Sequence, residues 1–273
     1  MQQENFEFEG RSVAYYHGGK GKPLLLLHGS GPGASSMGNW RSVLPALCER
    51  YQVFAMDLLG FGKSDRRAVP PYFDFAMWVR QAEAMLARIE QDKVGVIGHS
   101  LSGALALTLA VDQPRIAAVL TTGTMGKAFK PNQATARTWR CPTNREELVS
   151  TLKGLIHDHS VIDEAYLSAR EPVIFAAGYA DYFNRMFEGD PARYVEAAIL
   201  GDDLLARVQC PVALLHGRDD IAFPPSSSIH IAGSLPRADL TLLRQCSHSV
   251  AFERRETFLA LATDLFDAVF QPH

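Results

Sequence analysis

Little in this chain points toward a metal, a membrane or a polyanion. Cys48, Cys141, Cys210 and Cys246 are the only four cysteines in 273 residues, and they show neither metal-ligand nor redox spacing. That sets aside zinc modules and disulfide-stapled scaffolds, and the four are expected to be reduced packing residues. No apolar run approaches the roughly 18 residues a membrane span needs. Met1-Gln2-Gln3-Glu4-Asn5 is polar where a secretion signal would carry basic and then apolar residues. An excess of one charge is missing too, since 27 Lys and Arg face 30 Asp and Glu. Such a balance gives no reason to expect nucleic acid or an anionic membrane as partner. His157-Asp158-His159 is the nearest approach to a metal-binding run, but i,i+2 spacing does not face one way on a helix and no further ligand is evident. Solvated helix-end residues are expected there. A soluble cytoplasmic protein with a small-molecule partner remains, and a homo-oligomer is left open.

What is present is a strong alternation of strands and helices. Leu24 to Leu27, Val53 to Met56, Val94 to Ile97 and Ala117 to Thr122 are short, nearly all-apolar runs, as in a sheet covered on both faces. Phe6-Glu7-Phe8 and Val13-Ala14-Tyr15-Tyr16 flank a turn and predict an N-terminal hairpin. Phe75, Val79, Ala82, Met85, Leu86 and Ile89 have the spacing of a buried helix face. A mostly parallel α/β sheet flanked by helices follows. The rhythm breaks between Gly126 and Leu205, an aromatic-rich stretch of helical patterns without a convincing strand. It predicts a core over 1–126 and 206–273 with a helical cap over 127–205. Such a cap encloses an apolar substrate, or simply forms a layer with its own core.

The most informative stretch is Val94-Gly95-Val96-Ile97-Gly98-His99-Ser100-Leu101-Ser102-Gly103. A strand turning directly into a helix at a serine reads as a nucleophile elbow. The usual pattern is Gly-x-Ser-x-Gly; Ser102 replaces its last glycine, and Gly103 follows at once. A serine hydroxyl needs a base, and the base needs an acid, in the chain order Ser, acid, His. Pro211 to Leu215 runs into Asp219-Asp220, and Leu240 to Leu243 runs into Gln245-Cys246-Ser247-His248. Both candidates therefore sit just past strands, where α/β sheets place functional groups. One aspartate of the pair is expected to serve only the turn. His28 and His216 end buried strands and are expected to bond to backbone. In Leu27-His28-Gly29-Ser30-Gly31-Pro32-Gly33-Ala34, three glycines after a strand leave N–H groups exposed where a developing oxyanion needs them. A phosphate loop is excluded by the missing Gly-Lys-Ser/Thr ending. The predicted oxyanion donors are the N–H groups of Leu101 and Ser30, with Gly31 next.

His28-Gly29-Ser30-Gly31-Pro32-Gly33-Ala34, Asn39-Trp40, Asp57-Leu58-Leu59-Gly60-Phe61-Gly62-Lys63-Ser64, Gly217-Arg218-Asp219-Asp220 and Gln245-Cys246-Ser247-His248 together resemble the meta-cleavage product hydrolases. These are α/β-hydrolases that split carbon–carbon bonds in ring-opened aromatic catabolites. The resemblance covers nearly the whole chain. It implies Ser100 as nucleophile, Asp220 as acid and His248 as base, with Asp220 chosen by the pattern Gly-x-x-Asp-x-x-x-Pro. It implies substrate contacts from Asn39, Gly31 and His99, and a carboxylate-binding cap arginine at Arg170, whose alternative is a surface residue paired with an acid. No metal or organic cofactor is implied. The chain departs from the pattern at His99, Ser102 and Ser249, where the family has asparagine, glycine and commonly tryptophan. The implied reaction is cleavage of a 2-hydroxy-6-oxo-hexa-2,4-dienoate to a 2-hydroxydienoate and a carboxylic acid. The alternatives are a carboxylesterase or lactonase with the same triad, and a nearly silent ligand receptor on this fold.

Overall fold

The computed structural model describes residues 1–270. Eight strands form one sheet: β1 (Gln2–Phe8), β2 (Arg11–Gly18), β3 (Lys22–Leu27), β4 (Tyr51–Met56), β5 (Val94–His99), β6 (Ile116–Thr122), β7 (Val212–Gly217) and β8 (Ala238–Leu243). Their order is β1-β2-β4-β3-β5-β6-β7-β8. The β1–β2 and β2–β4 pairs are antiparallel and every other pair is parallel. The hairpin and the expected core strands are all present. The chain steps outward from β3 to β4, then returns to the far side of β3 as β5. The strand order thus reverses between β3 and β5, and α/β sheets open a crevice beyond the carboxyl ends of such strands.

Side-chain alternation explains why β3 can be a run of leucines. Leu24 and Leu26 join Trp40, Phe258 and Phe266 on one face, while Leu25 and Leu27 join Trp78, Leu105 and Leu107 on the other. Helices cover both faces: α1 (Ser36–Trp40), α2 (Leu44–Arg50), α3 (Phe75–Arg88) and α4 (Leu101–Ala110) lie early in the chain. Asp74 caps α3 by accepting from the Met77 N–H, which fixes the start of the predicted amphipathic helix.

Among the described residues no strand lies between Thr122 and Val212. That stretch folds as α5 (Gln133–Thr138), α6 (Arg145–Lys153), a 3-10 turn (His159–Val161), α7 (Glu164–Ser168), α8 (Glu171–Ile174), α9 (Tyr179–Met186), α10 (Ala192–Ala197) and α11 (Asp202–Leu205). The sheet then resumes, with α12 (Ser226–Ser234), α13 (Val250–Glu253) and α14 (Arg255–Phe270) completing the chain. His157, Asp158 and His159 are exposed at and before the 3-10 turn. Most aromatics of the inserted stretch pack together: Trp139 stacks on Phe187 at 5.6 Å and meets Phe223 of the sheet layer at 5.5 Å. They share one buried cluster with Leu25, Leu27 and Val96 of the sheet, so the expected separate core of this layer is not seen. Among the described residues no helix is long and apolar enough to cross a membrane.

Candidate active site

The elbow at Ser100 is built by steric exclusion. A Cβ on Gly98 would lie 2.2 Å from the Ser102 carbonyl oxygen, and one on Gly103 would lie 2.2 Å from Thr124 Oγ1. Ser100 itself has φ 57°, a conformation that costs a non-glycine residue on the order of 1–3 kcal/mol. The sharp turn ends β5 and begins α4, placing the hydroxyl over the sheet edge. Ser102, in the position of the missing glycine, donates from its hydroxyl to the His28 carbonyl and ties α4 to the end of β3.

Three elements converge there. Ser100 Oγ is 2.9 Å from His248 Nε2, and His248 Nδ1 is 2.6 Å from Asp220 Oδ2. An ionised carboxylate can only accept, so Nδ1 carries the proton and Nε2 offers its lone pair to the serine hydroxyl. Asp220 Oδ1 accepts from the N–H groups of Ala222, at 3.1 Å, and Phe223, at 2.9 Å. Burial pushes the Asp220 carboxyl up, yet the facing imidazoles of His248 and His216 outweigh it and hold the group below the usual carboxylate range. Asp219 instead turns outward, accepting from the Cys246 N–H.

The second histidine on Asp220 escaped the sequence reading. His216 bonds to backbone as expected, through Nε2 to the Phe223 carbonyl at 3.0 Å. The same nitrogen lies 3.3 Å from Asp220 Oδ2. Only the i,i+4 spacing from Asp220 could have signalled it, and in a strand-to-loop segment that spacing has no fixed geometry. His28, also as expected, uses backbone: Nδ1 meets the Gly29 carbonyl and Nε2 accepts from the Leu58 N–H.

His99 adds a further imidazole, 4.7 Å between ring centroids from His248. Its Nδ1 is 3.1 Å from the Thr122 carbonyl, which cannot donate, so Nδ1 holds the proton. Burial first, and then the neighbouring His248, push the His99 pKa well down; burial also lowers His28. A histidine with a folded pKa below its unfolded value of about 6.5 stabilises the fold above that pH and loses the contribution as pH falls. The thermal midpoint is therefore expected to drop as pH descends from about 7 toward 5. His99→Gln should flatten that slope, and an unchanged slope would place the proton uptake elsewhere.

Ser30 and Leu101 N–H groups have no hydrogen-bond acceptor among the described residues. Ser30 is buried and its hydroxyl accepts from Trp139 Nε1 at 3.3 Å. Asn39 Oδ1 accepts from the Gly29 N–H at 3.2 Å, which turns its amide NH₂ the other way. Ser30, Gly31, Asn39, His99, Ser100 and His248 all line one cavity of about 460 Å³, and Leu101 follows Ser100 as the first residue of α4. From the inserted stretch the cavity receives Leu152, Leu155, Tyr166, Val173 and Arg170, with Thr138 and Ala169 beside them. Tyr166 is the single aromatic of that stretch lining it. The other rings of that stretch pack on one another and on Phe73 and Phe223 instead.

Arg170 is partly buried, and burial lowers its pKa. Its guanidinium donates to the Tyr166 carbonyl at 3.0 Å and lies 3.5 Å from the centre of the Tyr166 ring. Among the described residues it has no carboxylate partner, and neither does Arg41, which also borders the cavity. Arg41 was not singled out from the sequence, where nothing distinguishes it from other exposed arginines.

A family model for the alpha/beta hydrolase fold matches residues 22–255. The chain belongs to the α/β-hydrolases. This hydrolase is 28% identical over 251 residues to the 2-hydroxy-6-oxo-2,4-heptadienoate hydrolase of Pseudomonas putida, covering 92% of this chain and 91% of that one. It is 29% identical over 247 residues to a 2-hydroxymuconate semialdehyde hydrolase of a Pseudomonas species, covering 90% and 87%. Its fold superposes on a meta-cleavage product hydrolase of Pseudomonas fluorescens with a TM-score of 0.92 at 27% identity, over 97% of each chain. The resemblance read from the oxyanion loop thus extends through the sequence and the fold.

Proposed function

We propose that this α/β-hydrolase cleaves a carbon–carbon bond in a ring-opened aromatic catabolite of the 2-hydroxy-6-oxo-hexa-2,4-dienoate type. The observation that carries the reading is a partly buried guanidinium, without a carboxylate partner among the described residues, in the same cavity as Ser100 and His248. A partly desolvated cation without a counter-ion favours an anionic ligand, and a planar guanidinium matches a carboxylate fork to fork. The similarity to dienoate hydrolases supports the same substrate class.

Residues 127–205 serve as the cap over this cavity, with Arg170 holding the substrate carboxylate. The Asn39 amide and the oxyanion loop receive the oxygens of the dienol. Ketonisation comes first, because the departing carbon fragment must accept the electron pair of the broken bond as a conjugated enolate. Ser100 Oγ attacks the remote carbonyl carbon as His248 Nε2 takes the hydroxyl proton. The oxyanion is held by the N–H groups of Ser30 and Leu101. Collapse re-forms the carbonyl, breaks the C–C bond and leaves an acyl ester on Ser100, while the enolate is protonated to a 2-hydroxydienoate. Water, deprotonated by His248, then hydrolyses the ester to the carboxylic acid.

The test is to mix the protein with the yellow ring-fission product of a catechol and follow its visible absorbance, with p-nitrophenyl acetate in parallel. Rapid bleaching with release of a 2-hydroxydienoate is expected. Ester cleavage without bleaching would overturn the carbon–carbon assignment and leave a hydrolase of C–O bonds.

A further inference from the structure

We propose that His216 is a positioning residue for the triad, its Nε2–H shared between the Phe223 carbonyl and Oδ2 of Asp220 so that the carboxylate is held on His248. The inference rests on the triad assignment above but not on the identity of the substrate. The protonation of His216 follows from its partners. The Phe223 carbonyl, 3.0 Å from Nε2, cannot donate, so Nε2 carries the hydrogen. Nδ1 is then an acceptor, and Ser228 Oγ supplies its proton at 2.7 Å.

The result is a continuous chain from α12 to the nucleophile: Ser228 to His216, His216 to Asp220, Asp220 to His248, His248 to Ser100. The side chains of His216 and Asp220 are both fully buried, so the contact between them is not screened by water. Asp220 Oδ1 is already occupied by two backbone N–H groups, which leaves Oδ2 to be shared by the two imidazoles at 2.6 and 3.3 Å. Other ionisable groups near Asp220 point elsewhere. Asp219 is directed to the Cys246 N–H and to His157, Glu253 accepts from the Ser247 N–H, and His99 faces His248 from β5. Among the described residues, His216 is thus the imidazole besides the base that lies within 4 Å of the catalytic carboxylate.

A donor on Oδ2 draws off part of the charge that His248 would otherwise feel. Removing it should let the carboxylate stabilise the His248 imidazolium more strongly, so the base titrates at higher pH. The measurement is the downfield proton resonance of His248 Nδ1–H followed against pH, which needs no substrate, together with the acid limb of kcat/KM. In His216→Phe both midpoints are expected to rise by about half a pH unit or more, and kcat to fall about tenfold, as for loss of a hydrogen bond to a charged group. His216→Gln places an amide N–H near the Nε2 position and should keep the native midpoint; His216→Asn, one bond shorter, should not. Gln and Asn differing in this way supports the proposal even if the Phe variant fails to fold. Native midpoints in every folded variant would reduce His216 to a packing residue. Ser100→Ala is read separately, since turnover persisting there would overturn the triad itself.

Discussion

Ser100→Ala is expected to reduce kcat by about 10⁴-fold or more while the fold and the melting temperature stay near native values. The serine hydroxyl provides the bond-forming electron pair, and no other nucleophile lies within hydrogen-bond distance of His248 Nε2 among the described residues. The side chain makes only that hydrogen bond, so its loss costs the packed interior little; relief of the positive-φ strain is not part of the change because alanine keeps the Cβ. His248→Ala should be nearly as severe, and the double variant little worse than either alone, because groups acting as one unit are not additive. Steady-state turnover of the ring-fission product, with circular dichroism as the folding control, checks both. Near-normal rates in either single variant would remove the assignment.

The second large effect belongs to Arg170. Arg170→Ala should lower kcat/KM for a carboxylate-bearing dienoate on the order of 10²-fold, the scale of truncating one partner of a buried charge pair. A neutral ester that makes no use of the guanidinium should change only severalfold, through altered packing beside Tyr166. Arg170→Lys keeps the charge but loses the planar fork, and should recover only part of the loss. Equal losses for charged and neutral substrates would move the carboxylate clamp elsewhere. Arg41, exposed on the same cavity, is the next candidate.

The parts of this molecule that were legible in the sequence are those set by local rules. Gly98, Ser100 and Gly103 announce a turn that only small residues can make, and the apolar runs announce strands covered on both faces. The order serine, aspartate, histidine follows from the fold's connectivity. Asp220 was separable from Asp219 only through the family pattern, since two adjacent turn aspartates look alike until their directions are known. Other features depend on distances that no local pattern encodes. His216 looked like a strand-end histidine satisfied by backbone, and it is, but the loop after β7 also folds Asp220 back onto its ring. Arg170 could not be told from a surface arginine, because the absence of a carboxylate partner is a property of the whole neighbourhood. The aromatics of residues 127–205 were legible as an enrichment, yet their packing against Phe73 and Phe223, rather than around the cavity, is decided by tertiary contacts.

The inserted stretch is tied by backbone and side-chain hydrogen bonds to the loops that carry His248 and Ser30. The Leu155 carbonyl accepts from both the His248 and Ser249 N–H groups at 3.1 Å. The Tyr179 hydroxyl accepts from the Gly33 N–H at 2.5 Å, and Trp139 reaches Ser30. For anyone wishing to retarget this protein by transplanting a relative's cap, residues 127–205 are therefore not a detachable module. A chimera that keeps every triad residue but mismatches Leu155, Tyr179 or Trp139 would inherit a new pocket together with a loosened base and a slack oxyanion loop. Asn132 and Thr135 add bonds to the Ile221 and Ala222 carbonyls beside Asp220, and point changes at Leu152 or Val173, which line the cavity without making any of these bonds, are the safer route to a new substrate range.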